Sequence, residues 1–150
     1  MNQTITFRKM TLEDLDSVIE VEHASFTLPW SREAFYNELV NNQYAYYLVA
    51  EDQGKVVGYC GTWFILDEGH ITNIAVLPEW RGKKIGEELM VRMMGKAQSM
   101  GVKKMTLEVR VGNHTAQRLY RKMGFKDGGI RKFYYTDNME DALIMWVELW

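Results

Sequence analysis

The stretch that most limits how this 150-residue chain can fold runs from His70 to Arg110. An apolar strand pattern, His70 to Val76, ends just before Pro78. A short basic loop with glycine follows, Arg81-Gly-Lys-Lys-Ile-Gly86. Ile85, Leu89, Met93, Ala97 and Met100 then recur at helical spacing, and Gly101 is a natural stop. Lys104 to Arg110 alternates: Met105, Leu107 and Val109 share one face, and Thr106, Glu108 and Arg110 share the other. Strand, helix, strand in this order reads as a right-handed parallel crossover inside a sheet.

The flanking sequence supplies the rest of that sheet. Ile5 to Lys9 alternates as a short strand. Thr11-Leu-Glu-Asp14 reads as a capping box opening a helix whose buried stripe is Leu12, Leu15, Val18 and Ile19. Phe26-Thr-Leu-Pro-Trp30 breaks it, and Ser31 caps a second helix with Ala34, Phe35 and Leu39 on one face. Tyr44 to Glu51, Lys55 to Leu66 and His70 to Val76 form a meander, with turns at Asp52-Gln-Gly54 and Asp67-Glu-Gly69. Asn113 caps a helix with Ala116, Leu119, Tyr120 and Met123 as its stripe. Phe125 to Tyr135 and Ala142 to Leu149 are the last strands. The expected class is α/β or α+β, a mixed sheet covered by helices.

Composition sets the outer limits. Residues 1–150 suit a single domain with a real core. A net charge of −2 gives no general attraction to nucleic acid or anionic membrane. The N-terminus lacks the apolar core of a signal peptide, and no run is long enough to span a bilayer, so the cytoplasm is the default location. The single cysteine, Cys60, lies in an apolar run and reads as an inert buried thiol. His23, His70 and His114 show no ligand spacing, so no metal is expected and solvated or core roles are assigned to them. Oligomeric state leaves no mark in the sequence.

Three features bear on chemistry. The loop from Arg81 to Gly86 opens a helix, where unpaired N–H groups and the helix dipole favour an anion, and Arg81, Lys83 and Lys84 add charge. An ordinary strand-to-helix turn with solvated lysines accounts for the same residues. Glu108 is a carboxylate in a strand of otherwise apolar character; it reads either as half of a surface ion pair or as a general base in a cleft. Tyr120 lies on an apolar helical stripe, as a core tyrosine or as an acid.

Taken together and in this order, these pieces resemble the GNAT superfamily of N-acetyltransferases over essentially the whole chain. The superfamily's pyrophosphate motif, Arg/Gln-x-x-Gly-x-Gly/Ala, is met at Arg81 and Gly86 and departs at Lys84, where the middle glycine is expected. A closer likeness, to the bacterial ribosomal-protein-alanine acetyltransferases, rests on four stretches. They are Phe26-Thr-Leu-Pro-Trp-Ser31, Asn73-Ile-Ala-Val76, Leu107-Glu-Val-Arg110 with Asn113 and Leu119-Tyr120, and Arg131-Lys-Phe-Tyr-Tyr135 with Glu140-Asp-Ala-Leu-Ile-Met145.

The resemblance implies a fold with two parallel strands splayed apart at the centre of a mostly antiparallel sheet, and helices on both faces. It implies acetyl-CoA as co-substrate. The pantetheine arm would lie along Ile74, Ala75 and Val76 and be held by Asn113, and the pyrophosphate would rest on Arg81, Gly82, Lys83, Lys84, Ile85, Gly86 and Glu87. It implies Glu108 as base, Tyr120 as acid, and Trp30, Arg131, Tyr134 and Tyr135 as acceptor contacts. The acceptor it implies is the N-terminal alanine of a ribosomal protein. Glu33, Glu38, Asp137, Glu140 and Asp141 fall in or beside the acceptor loops and read mostly as solvated charges. Two other functions fit the same residues: an acetyltransferase for a lysine, a polyamine or another small amine, and a non-catalytic module that binds acetyl-CoA. Glu108 and Tyr120 together argue against the second. A Rossmann enzyme fits less well, because the glycine loop is not early in the chain and lacks the full fingerprint.

Overall fold

The computed structural model describes residues 5–149. The elements run β1 (Ile5–Lys9), α1 (Leu15–Ser25), α2 (Arg32–Val40), β2 (Ala45–Asp52), β3 (Lys55–Ile65), β4 (Glu68–Val76), α3 (Ile85–Ser99), β5 (Lys104–Arg110), α4 (His114–Lys122), β6 (Lys126–Tyr135) and β7 (Glu140–Glu148). One seven-stranded sheet carries them in the order β1-β2-β3-β4-β5-β7-β6. All neighbours are antiparallel except β4 and β5.

The helices lie on both faces, as neighbouring residues of β3 show. Tyr59 reaches Glu22 of α1, while Gly58 faces Leu89 of α3. Leu15, Val18 and Val21 of α1 and Ile85, Leu89, Met93 and Ala97 of α3 are buried, so each helix presses an apolar stripe on the sheet. A Cβ at Gly61 would run into the ring of Tyr47, so only glycine lets β2 and β3 close there.

The parallel pair is short. Glu68, Gly69 and His70 pair with Lys104, Met105 and Thr106, and no β4 residue beyond His70 pairs with β5. Just past that point β4 carries a bulge against β3: Ile71 faces Thr62 and Asn73 faces Gly61, so Thr72 is the extra residue. The bulge turns β4 away from β5, and each strand is left with an open edge. The expected splayed parallel pair is thus present, with its hinge at residues 70–72.

The element boundaries depart from the sequence reading in three instructive places. Leu12 lies in a short 3-10 turn before α1 and is 47% exposed, because the capping box of Thr11 and Asp14 stands one turn ahead of the α-helix proper. Met100 falls on the C-cap of α3 and is likewise exposed. β4 begins at Glu68, inside the expected turn, since pairing with both β3 and β5 extends it; the turn tightens onto Leu66, at φ 57°. Among the described residues, no helix is long and apolar enough to cross a membrane.

Candidate active site

The gap between β4 and β5 opens into a cleft of about 460 Å³. Ile74 of β4, Glu108 of β5, Asn113 and Tyr120 line its walls, with Trp30 from the loop between α1 and α2 and Tyr134 and Tyr135 from the end of β6. Seven of the residues singled out in the sequence are therefore brought together. Ala75, Val76, Arg81 to Glu87 and Arg131 do not line it. Ala75 and Val76 continue the same strand edge, and the loop follows directly.

Glu108 alternates with the buried Leu107 and Val109, so β-strand geometry points it off the core and into the cleft. Its carboxylate is paired: Nε2 of His70 lies 2.8 Å from Oε1. The two are directly reachable because His70 stands at the last paired position of β4. The His70 hydrogen bond holds the Glu108 carboxyl below the usual carboxylate range, against the opposing effect of burial. Glu108 is ionised at neutral pH. His70 was expected to be solvated or in the core; it is instead the partner of Glu108. No periodicity signals a pair 38 residues apart.

Tyr120 is 7% exposed and packs on Phe125. Burial, with Cys60 nearby, pushes its hydroxyl well above the ordinary tyrosine range. That hydroxyl has no hydrogen-bond partner among the described residues and borders the cleft, so it holds a proton and is free to donate. Asn113 caps α4, its Oδ1 accepting the Ala116 N–H at 3.1 Å. The buried Gln117 ties α4 to the end of β5, donating to the carbonyls of Arg110 and Val111. Cys60 is fully buried, and burial raises its thiol to about 12, which suits an inert core group.

The helix α3 starts from Lys84, which has φ 65° and is left-handed. The middle glycine of the motif falls on this residue; the position demands a conformation that glycine adopts without strain. The N–H groups from Lys84 to Glu87 have no partner within the helix, as at any helix start, and Glu88 is the first to bond back to Lys84. Lys83 and Lys84 are exposed and make no hydrogen bond or ion pair with a described residue. Arg81 behaves differently. It turns back, donating from Nε to the Val76 carbonyl at 2.9 Å and from its second terminal nitrogen to Ser25 at 3.4 Å. Glu87 is tied to Lys122 of α4 at 2.9 Å.

The segments around this end of the cleft are stitched together across long sequence distances. Arg110, at the end of β5, donates to Asp137 at 2.8 Å and to Glu140 at 3.2 Å, and its guanidinium lies over the Tyr135 ring at 4.1 Å. Thr27, between α1 and α2, reaches the same Asp137 at 2.5 Å. Arg131 lies over Tyr134. Of the five carboxylates read as mostly solvated, Glu38, Asp137, Glu140 and Asp141 are all held in hydrogen bonds. No cluster of three metal-ligating side chains occurs among the described residues.

Comparison with known proteins identifies the family. The model of the acetyltransferase (GNAT) family matches residues 15–125. The chain is 51% identical over 149 residues, 99% of each sequence, to a Bacillus subtilis protein with the provisional name [ribosomal protein bS18]-alanine N-acetyltransferase. It is 33% identical over 144 residues to the Escherichia coli [ribosomal protein bS18]-alanine N-acetyltransferase, covering 93% of this chain and 95% of that one. The crystal structure of the Escherichia coli ribosomal-protein-S18-alanine N-acetyltransferase superposes with a TM-score of 0.89 and 30% identity, over 97% of this chain and 94% of that one. With a family match over most of its length, relatives across nearly all of it, and a splayed strand pair flanked by a helix-start loop, this chain belongs to the GNAT family of acetyltransferases.

Proposed function

We propose that the protein transfers acetyl from acetyl-CoA to the N-terminal α-amine of an alanine on a ribosomal protein, as its relatives are named for doing. The observation that carries this reading is the placement of Glu108, Tyr120 and the Tyr134–Tyr135 pair around one cleft that opens where β4 leaves β5. The whole described chain is taken as one catalytic domain, and a ribosomal-protein substrate is in keeping with work in the cytoplasm.

The residues fit the co-substrate. The open edge of β4 at Ile74, Ala75 and Val76 suits a pantetheine arm, with Asn113 facing it across the cleft. The free N–H groups at the start of α3, with Gly82, Lys83 and Lys84 beside them, suit a pyrophosphate. Arg81 serves there by leaving the Val76 carbonyl for the anion. Acetyl-CoA supplies an activated acyl thioester, so no enzyme nucleophile is needed, in keeping with an inert Cys60.

The chain's own groups then have three tasks. Glu108, ionised and held by His70, accepts the proton that the amine sheds. An N-terminal α-amine, with a pKa of ~8, asks less of a single carboxylate than a lysine at ~10.4. A backbone N–H near Val76 offers a hydrogen bond to the thioester oxygen. The Tyr120 hydroxyl donates to the departing sulfur. Trp30, Arg131, Tyr134 and Tyr135 orient the acceptor, the two tyrosines as rigid stacking surface.

A competition assay tests the reading. A peptide with a free N-terminal alanine is offered beside the same peptide blocked at its N-terminus but bearing lysines, and beside a polyamine. The unblocked peptide should be acetylated fastest, with the modified atom located by mass spectrometry. Faster acetylation of either competitor would overturn the acceptor assignment.

A further inference from the structure

Glu22, on α1, is a carboxylate that the mechanism above does not use. It is 2% exposed and borders the cleft. No Lys or Arg among the described residues lies within ion-pair distance of it. One oxygen accepts the Trp30 backbone N–H at 2.8 Å, and the other accepts the Tyr59 hydroxyl. The Tyr59 oxygen accepts in turn from Nδ2 of Asn73 at 3.1 Å, and Oδ1 of Asn73 accepts the Thr72 hydroxyl at 2.9 Å. Thr72 is the extra residue of the β4 bulge, at the place where β4 leaves β5.

A buried carboxylate with no Lys or Arg beside it, and only His23 on the outer side of the same helix acting on it electrostatically, is a costly way to fill space, and an apolar side chain of that volume would pack there more cheaply. What the carboxylate adds is two acceptor oxygens on one rigid group, serving donors from two different elements. One donor belongs to the loop between α1 and α2, which lines the acceptor end of the cleft with Phe26, Leu28 and Trp30. The other leads through Tyr59 to the splayed edge of β4.

We infer that Glu22 is a positioning residue for the acceptor: through Trp30 on one side, and through Tyr59 and Asn73 on the other, it sets the distance between the acceptor loop and the bulged edge of β4. The inference rests on the reading that the acceptor amine enters beside that loop. A residue that only glued the fold together would lower stability and touch both substrates alike. A spacer at the acceptor end changes how the acceptor is held and leaves the helix-start loop at Arg81 to Glu87 as it was.

The test is a split in steady-state kinetics between the two substrates. Tyr59→Phe removes one oxygen and both of its links with little change of volume. It should raise KM for the alanine peptide about tenfold, as expected for a buried hydrogen-bonded link, and leave KM for acetyl-CoA within about twofold. Glu22→Gln keeps a carbonyl oxygen for the Trp30 N–H and should raise peptide KM less, about threefold. Asn73→Ala, which cuts only the β4 side of the network, should raise peptide KM less than Tyr59→Phe and likewise leave KM for acetyl-CoA within about twofold. Circular dichroism checks folding, and if Tyr59→Phe does not fold, Glu22→Gln decides alone. Unchanged peptide KM in a folded variant, or equal rises in both KM values, would overturn the inference. If the wild type fails to acetylate the peptide, the proposed acceptor has failed instead, and the same split is read with whichever amine the wild type does acetylate.

Discussion

Between Arg81 and Gly86 the chain offers backbone N–H groups and exposed lysines, whereas around the proposed acceptor end Glu22, Asp137 and Glu140 are all engaged in hydrogen bonds. The donor end is built from neighbours in sequence: a strand end, a turn and a helix start within about a dozen positions. The acceptor end draws on side chains far apart in sequence: Arg110 meets Asp137 across 27 positions, and Thr27 meets it across 110. The first kind of site needs only a local conformation. The second needs the whole sheet in place before any partner is found. Substitutions should therefore cost charge and salt dependence at one end, and geometry at the other.

In the proposed mechanism the largest effect belongs to Glu108. Glu108→Gln should lower kcat about 10²–10³-fold while circular dichroism and thermal stability stay near wild type, since general-base help is worth that much and glutamine can still bond to His70. Tyr120→Phe should lower kcat less, about tenfold, with KM for acetyl-CoA unchanged, because a donor to a departing thiolate is one hydrogen bond. Retention of wild-type turnover by both would remove the acid–base assignment.

His70→Ala sharpens the comparison through pH. The hydrogen bond from His70 is the largest influence holding Glu108 below its ordinary value of 4.5, and burial opposes it. Without His70, burial acts unopposed by that bond, and the Glu108 pKa rises. The acid limb of kcat/KM should move to higher pH. The stability that Glu108 contributes is fully present above the unfolded-state pKa and is lost as pH falls through its lower folded value; in the variant that acid-range loss should shrink. An acid limb that stays in place in a folded His70→Ala protein would mean that the bond does not tune the base.

Asp137→Ala cuts the one residue shared by Thr27 and Arg110 and so loosens both acceptor loops. Peptide KM should rise about three- to tenfold, the cost of a part-exposed charged bond, with acetyl-CoA KM unmoved. Arg81→Glu should do the reverse: acetyl-CoA KM should rise about three- to tenfold at low salt and less at high salt, because exposed charges are screened. Equal salt dependence for the two variants would erase the contrast between the ends. The smallest effect is on stability. Lys84→Gly relieves a left-handed lysine and should raise Tm by about 2–4 °C, for about 1 kcal/mol of backbone strain.

Much of this molecule could be read before any fold was known. The strand at Lys104 to Arg110, the start of α3 at Ile85 and the Asn113 cap depend on periods and caps carried by consecutive residues, and they appear where expected. The placement of Glu108 on the polar face of β5 is likewise a local matter, because alternation along a strand is decided by the backbone. Leu12 and Met100 were misread for the complementary reason. Each sits at a helix end, where the period still holds in sequence but the helix has stopped.

Tertiary structure alone decided the rest. That His70 holds Glu108, that Arg110 braces the acceptor loops, and that Glu22 reaches Trp30 and Tyr59 all follow from strand order and from the bulge at Thr72. Those contacts join residues with no shared period, and a hydrogen bond depends on distances of a few ångströms that one register shift would destroy. The sequence by itself determined the local elements and the helix-start loop; only the assembled sheet decided which charges face one another, because register and splay are properties of paired strands and not of any one of them.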